Sequence, residues 1–319
     1  MKAIVVGSAN TDMIIHVHSL PLLGDTQVGY GYTSGPGGKG ANQAVCLSRL
    51  GAYPHLIARF GKDDTSSILM EEINRQGINM SHAVIDEKHN GGVVFIIVDK
   101  TGNNTMIADF GSNQYLDQYD IQNAASLFEG AGLLLLQLEV SDSANKKACE
   151  LAVKNGLRVS LNPAPMRPFD TSILKFVDVL TPNLFELSRM LEYLEGKVVV
   201  PVDEKDHQKI ITAARKLIEL GVNHVVVTMG ERGSVYINQK ASCNFGTYRV
   251  NQRDSTAAGD AFTAAFALRF TEGADVSECV RFASASAAIA VTGEGAIPSL
   301  PNREKVEGFM MSNKFEKFV

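Results

Sequence analysis

Four consecutive leucines, Leu133 to Leu136, form the clearest element of the chain. A run that is apolar at every position, rather than at every second one, predicts a strand covered on both faces, as in a parallel sheet. Residues 133–138 are therefore read as a strand, with others at 3–7, 55–61, 158–161, 177–180, 225–228 and 233–237. Between them, apolar positions fall at helical spacing. Helices are expected at 39–50, stopped by Gly51, at 67–76, closed by Gly77, and at 143–155, capped by Gly156. Another follows Thr181-Pro182-Asn183 and runs to Leu194, and Ile210, Ala213, Ala214, Leu217 and Ile218 mark the next. Two helices, 261–271 and 277–291, are expected to close the chain, with a frayed tail at 313–319. Such alternation predicts an α/β fold, a three-layer αβα sandwich around a mainly parallel sheet.

Some apolar stretches do not fit that alternation. Residues 13–17, the Gly-, Tyr- and Ser-rich stretch 29–38, and the pair 93–98 and 105–108 read as short strands. Lys100-Thr101-Gly102-Asn103-Asn104 supplies turn residues that tolerate positive φ, which makes the last pair a hairpin. Segments of about 11–35 and 91–109 are expected to form a small β-sheet lid on a single domain spanning 1–319. Residues 196–203, with Val198-Val199-Val200-Pro201, read as a surface excursion and not as a domain boundary.

Composition narrows the function classes. The 319 residues are 45% hydrophobic, enough for a sizeable core. A net charge of −5 with no Lys/Arg block argues against nucleic acid and membrane surfaces as partners. The apolar runs fall short of the roughly 20 residues that span a bilayer. No cleavage pattern follows Met1-Lys2-Ala3-Ile4-Val5-Val6-Gly7, so a cytoplasmic location is expected. Cys46, Cys149, Cys243 and Cys279 are scattered, without C-x-x-C or metal spacing, and are expected to be reduced and buried. The seven histidines show no H-E-x-x-H or triad-like spacing.

The candidate chemistry lies in Asp254-Ser255-Thr256-Ala257-Ala258-Gly259-Asp260-Ala261-Phe262, a polar turn and tiny residues running into a helix. The first amides of a helix lack intrahelical partners and, with the helix dipole, attract anions. An acid at the same spot repels an anion unless it accepts a proton, so an anion hole beside a carboxylate base suits phosphoryl transfer to an alcohol. A helix cap with acids in its first turn is the plainer alternative.

In parallel sheets ligands bind at the carboxyl ends of strands. Asn10 and Asp12, Glu139, Asn162, Asn183 with Glu186, Thr228 with Gly230, and residues 254–260 all follow expected strands. Gly37-Gly38-Lys39-Gly40-Ala41-Asn42 fails the Walker pattern, since Thr33 stands where glycine is needed and Gly40 follows the lysine. Lys39 and Asn42 on one helix face could bind a polyhydroxylated substrate, or the segment is a tight turn with a solvated lysine. Asn183 and Glu186 could hold a hydrated magnesium and a triphosphate, or simply form a capping box. The amides of Thr228-Met229-Gly230-Glu231-Arg232-Gly233 could meet phosphates, or form an ordinary turn.

With Gly37-Gly38-Lys39-Gly40-Ala41-Asn42 early and residues 254–260 late, the chain resembles the ribokinase-like carbohydrate kinases from Gly7 to about Phe309. The resemblance implies ATP-dependent phosphorylation of a sugar 5-hydroxyl, with Asp260 as general base and the amides of Ala257, Ala258 and Gly259 as anion hole. It implies sugar contacts at Asn10, Asp12, Gly38, Lys39, Asn42, Glu139 and Asp260. Asparagine at position 10 points to ribose, because an apolar residue is expected there for a 2-deoxy sugar. Nucleotide contacts carry over to Asn183, Glu186, Thr228, Gly230 and Gly233, with Mg2+ on the ATP. An activating K+ would be held by oxygens of Asp254, Thr256, Ala290, Gly293, Gly295 and Ser299. The family's lid commonly forms a homodimer interface. Two alternatives stay open: a kinase of the same fold for deoxyribose, fructose, a ketodeoxygluconate or a nucleoside, and a sugar- or nucleotide-binding protein without turnover.

Overall fold

The computed structural model describes residues 1–101, 103–196 and 206–318. β1 (Lys2–Val6), β2 (Asn10–Val17) and β3 (Gly31–Gly37) lead into helix α1 (Lys39–Arg49). Then come β4 (Tyr53–Ile57), β5 (Arg59–Gly61), α2 (Asp64–Arg75), β6 (Val84–Asp86), β7 (Gly92–Asp99) and β8 (Asn104–Asp109). The middle holds α3 (Gln118–Asn123), β9 (Leu133–Leu136), α4 (Asp142–Asn155), β10 (Arg158–Leu161) and β11 (Val179–Leu180). After α5 (Leu184–Glu195), α6 (His207–Glu219) and β12 (His224–Thr228), β13 (Ser234–Asn238) and β14 (Ser242–Phe245) reverse direction. Helices α7 (Ala258–Thr271), α8 (Val276–Ala290), α9 (Ala296–Ser299) and α10 (Arg303–Ser312) follow.

Among the described residues, eight strands form the main sheet in the order β14-β13-β12-β11-β10-β9-β1-β4. Pairing is parallel from β4 to β12, and antiparallel at β13 and β14. Successive side chains of a strand point to opposite faces. Ala3, Val5, Leu133 and Leu135 therefore share one core with Ala44 and Leu47 of α1 and Phe266 of α7. Ile4, Val6, Leu134 and Leu136 join a second core with Ala148 of α4 and Leu217 of α6. Both faces are dry, which is why the leucine run shows no alternation.

Helix α7 is buried at every residue from Asp260 to Leu268. A helix apolar on all sides belongs in a core, so its one buried carboxylate stands out. The chain runs from β1 to β4 on one side of the sheet and from β9 to β12 on the other. This reversal opens a crevice at the carboxyl ends of β1 and β9, where α/β sheets bind ligands.

A second sheet, β3-β2-β7-β8, crosses over that crevice. Asn10, Asp12, Val94 and Ile96 of its inner face line the crevice. On the other face Ile15, Phe95 and Ile107 are 38%, 48% and 65% exposed. No helix among the described residues is long and apolar enough to cross a membrane.

Several sequence expectations need correction. The strand expected at 55–61 divides at Ala58, because its partner β1 ends at Val6; β5 pairs instead with β6 in a two-stranded sheet. The helices α7 and α8 do not end the fold, since α9 and α10 follow. The tail after α10 is docked: the Glu316 amide donates to the Thr247 carbonyl at 2.9 Å, and Phe315 packs edge-on against Tyr248. Cys46, Cys149 and Cys279 are buried, but Cys243 is exposed on the edge strand β14. Of the excursion at 196–203, Gly196 caps α5 with φ 65°, and the rest lies outside the described residues.

Candidate active site

The crevice is a cleft of about 340 Å³ lined from eight segments distant in sequence. At one end stand Asn10, Asp12, Gly38, Lys39, Asn42 and Glu139; at the other, Asn183, Glu186 and Thr228. Ser255, Thr256, Ala257, Gly259 and Asp260 line the wall formed by the entry to α7. Of the residues expected to meet nucleotide, Gly230 and Gly233 are not on this wall; they form the turn after β12. Ala258 also lies off the lining, as do Asp254, Ala290, Gly293, Gly295 and Ser299.

The first end is set by a turn only glycine can make. Gly38 has φ 89°, and a Cβ there would stand 2.7 Å from the Asn10 backbone nitrogen. With that turn packed under the β1–β2 link, α1 starts inside the cleft and brings Lys39 and Asn42 with it. Glu139 follows β9; it accepts hydrogen bonds from the Ser8 hydroxyl and, at 3.1 Å, from the Lys39 amide. The Asn10 Oδ1 accepts from the Asn113 Nδ2 at 2.9 Å.

Asp260 sits in the first turn of α7, 5% exposed. Its Oδ2 accepts from the Asn42 Nδ2 at 2.9 Å and its Oδ1 from the Gln43 Nε2 at 3.0 Å. The Asn42 Oδ1 is buried with no partner among the described residues, an acceptor available to a ligand. Ala257, before the helix, is held at φ 59°, a conformation that costs a non-glycine residue of order 1 kcal/mol. It leads the chain into α7, whose first residues Gly259 and Asp260 line the cleft. The Ala258 amide makes a long 3.3 Å bond to the Ser255 carbonyl. The Gly259 and Asp260 amides find no acceptor among the described residues.

Among the described residues, four carboxylates, Asp12, Glu139, Glu186 and Asp260, line the cleft with a single ammonium, Lys39. Burial raises Asp12 from 3.8 to about 7, helped by the charges of Glu139 and Asp260 and opposed by Lys39. Burial likewise raises Glu139 and Glu186 against the pull of Lys39. For Lys39, burial acts downward, but Asp260, Glu139, Glu186 and Asp12 outweigh it and keep the ammonium charged.

Asn183 and Glu186 form a complete capping box: the Asn183 Oδ1 accepts the Glu186 amide and the Glu186 Oε2 accepts the Asn183 amide, each at 2.8 Å. The capping role is thus realised, and the other Glu186 oxygen is left over at the cleft. On the far side of α7's entry, Asp254 accepts from the Thr256 amide and hydroxyl and from the Gly295 amide. A Cβ on Gly293 would stand 2.8 Å from that of Ser299, so glycine is what lets these two loops close on each other.

Sequence reasoning missed several polar residues here. Asn113, Gln43 and Gln137 are fully buried behind the cleft, and Thr181 and Thr263 bond each other at 2.8 Å on its floor. Gln43, directly after Asn42 in the glycine-lysine motif, was the one within reach of a sequence argument.

An α/β sheet with a cleft at its switch point and a second sheet across the mouth is the plan of a class of small-molecule kinases. Residues 1–303 match the pfkB family of carbohydrate kinases. The chain belongs to that family and is a carbohydrate kinase. A deoxyribokinase from Salmonella typhi is 34% identical, with 98% of this chain and 100% of that protein covered. A ribokinase from Haemophilus influenzae is 32% identical over 96% of this chain and 97% of its own length. The structure of Arabidopsis thaliana ribokinase complexed with ribose and ATP superposes with a TM-score of 0.86, at 31% identity, covering 97% and 98% of the two chains.

Proposed function

We propose that the protein transfers the γ-phosphoryl of ATP to the 5-hydroxyl of D-ribose. One adjacency supports this: a buried carboxylate, Asp260, shares the first turn of α7 with amides that lack acceptors. Asp260 takes the proton of the 5-hydroxyl. The alcohol oxygen forms the new bond to phosphorus, and the bond to the β-phosphate oxygen breaks with its electron pair leaving on ADP. The amides at 257–259 hold the equatorial oxygens of the moving group, where preorganised donors lower the barrier most.

Asn10, Asp12, Gly38, Lys39, Asn42 and Glu139 bind the sugar, and Asn183, Glu186, Thr228, Gly230 and Gly233 the nucleotide. Mg2+ fits the chemistry of the cleft, where four carboxylates against one lysine would repel an uncompensated triphosphate. No group of three acidic, His or Cys side chains suited to a metal occurs among the described residues. Phosphate oxygens with Glu186 would therefore hold the ion, as is usual for magnesium. K+ would sit among the oxygens of Asp254, Thr256, Ala290, Gly293, Gly295 and Ser299, a set of oxygens alone with one carboxylate charge, and would steady the anion-hole loop. The small sheet acts as a lid on a single domain. Its outer row of Ile15, Phe95 and Ile107 suits a homodimer, since such exposed apolar strands are normally covered.

The relative named a deoxyribokinase keeps 2-deoxyribose as the second reading. A coupled ADP-release assay over ribose, deoxyribose, fructose, a ketodeoxygluconate and a nucleoside, with and without K+, separates the readings. Ribose is expected to give the highest kcat/KM. Asp260→Asn is expected to lose ~10²–10⁴ in kcat with sugar binding retained; near-normal turnover would remove Asp260 from the mechanism.

A further inference from the structure

We infer that Gln43 and Gln137 form an amide relay that positions Asp260 for proton transfer; this rests on the reading of Asp260 as the base. The Gln43 Nε2 donates to the Asp260 Oδ1 at 3.0 Å, and the Gln137 Nε2 donates to the Gln43 Oε1 at 2.7 Å. Both glutamines are fully buried. The order of the bonds is fixed by chemistry. A carboxylate accepts only, so Gln43 must present its NH₂ to Asp260, and its oxygen must then find a donor on the other side. Gln137 is that donor. Its backbone is in turn held by the Asn145 Nδ2, which donates to the Gln137 carbonyl at 2.8 Å.

The relay ends badly for stability alone. The Gln137 Oε1 is buried without a partner among the described residues. It lies against Gly7, where a Cβ would stand 2.0 Å from it. Buried amide oxygens without a protein partner are uncommon, because burial removes hydration that a partner would otherwise replace. Here the defect lies two side chains from Asp260, and the relay it terminates has a use. With Asn42 on Oδ2 and Gln43 on Oδ1, the carboxylate plane is fixed from two sides. Each oxygen keeps a lone pair for the substrate hydroxyl.

Gln43 is thus a positioning residue, acting through Asp260. Gln43→Leu keeps the volume and removes the donor. Measured with ATP and D-ribose (or deoxyribose, if the panel favours it), it is expected to lower kcat ten- to a hundredfold with sugar KM within about threefold. Gln137→Leu should do the same more weakly, and the double variant should be no worse than Gln43→Leu, since both act on one bond. Calorimetric ribose binding checks that each variant is folded. Unchanged kcat in a folded Gln43→Leu, a loss carried by sugar KM and not by kcat, or additive losses in the double variant, would overturn the inference. If Asp260→Asn also turns over normally, the base assignment itself has failed; if Asp260→Asn is inactive, only the relay has.

Discussion

The Asn113 amide nitrogen donates to the Asn10 Oδ1 at 2.9 Å, and by doing so decides which end of Asn10 faces the cleft. Asn113 is itself pinned: its Oδ1 accepts the Ala9 amide at 3.0 Å, and its Nδ2 also reaches the Ala9 and Phe110 carbonyls. It cannot flip without losing these bonds, so Asn10 presents its NH₂ to a ligand. A sugar hydroxyl is a fitting acceptor. If that hydroxyl is the 2-hydroxyl, Asn113→Ala frees Asn10 to rotate and should cut the preference for ribose over 2-deoxyribose about tenfold, or 1.4 kcal/mol. Asn10→Met should reduce it further. The ratio of kcat/KM for the two sugars is the measurement, and a ratio unmoved in both variants would take the 2-hydroxyl away from Asn10.

Gly259 offers a test in which stability and activity move in opposite directions. Outside its own helix turn, a Cβ at this position meets no atom of the described residues within 4 Å, so packing there does not demand a glycine. In a helix, alanine is favoured over glycine by about 0.5–1 kcal/mol. Gly259→Ala should therefore melt at the same temperature or higher. The methyl group enters the space where the phosphoryl is proposed to pass, and kcat should fall about 10²-fold, the scale of a lost anion-hole donor. Thermal unfolding and steady-state kinetics on the same sample check both signs.

If Asp12 is the sugar contact proposed above, sugar binding should depend on pH. Its pKa is raised on folding, from 3.8 to about 7, so the folded chain holds a proton that the unfolded chain has released. The unliganded enzyme accordingly loses stability as pH rises through that window, and the loss is complete above about 7. A sugar hydroxyl donating to Asp12 favours the carboxylate, so binding should release a proton near neutrality. Ribose affinity should rise up to about tenfold per pH unit below the pKa and level off above it. Calorimetry in two buffers of different ionisation enthalpy measures the proton directly. Heats that do not depend on the buffer would exclude the coupling.

Glu186 can be tested as cap and as ligand separately. A glutamine serves the third position of a capping box as well as glutamate does. Glu186→Gln should keep stability within about 0.5 kcal/mol. Its charge, however, is gone from the cleft, and the Mg2+ concentration for half-maximal activity should rise severalfold. If that concentration is unchanged, the residue is only a cap.

Much of this was legible in the chain because the signals were local. Leu133 to Leu136 announces a strand covered on both sides, and it stands between β1 and β10 with both faces in cores. The glycine-lysine motif and the Ala257–Asp260 turn both reach the same cleft. Asn113 and Gln137 were invisible because their meaning depends on partners about a hundred residues away, Asn10 and Gln43. The exposure of Cys243 was hidden for a related reason: its strand is short, and nothing local says that it becomes the sheet edge. The capping box at Asn183 shows the converse, a short-range pattern that was read correctly and still left its second use open.

Asp260 meets Asn42 across 218 positions of sequence, and Ile297 and Leu300 carbonyls receive the guanidinium of Arg49 from even farther. On the proposed mechanism, a nascent chain emerging from the ribosome therefore carries its sugar-facing half long before it owns a base. Premature stops ahead of Ala257 would then yield fragments that lack both the proposed proton acceptor and the proposed anion hole, so that on this reading a half-made polypeptide could not spend ATP.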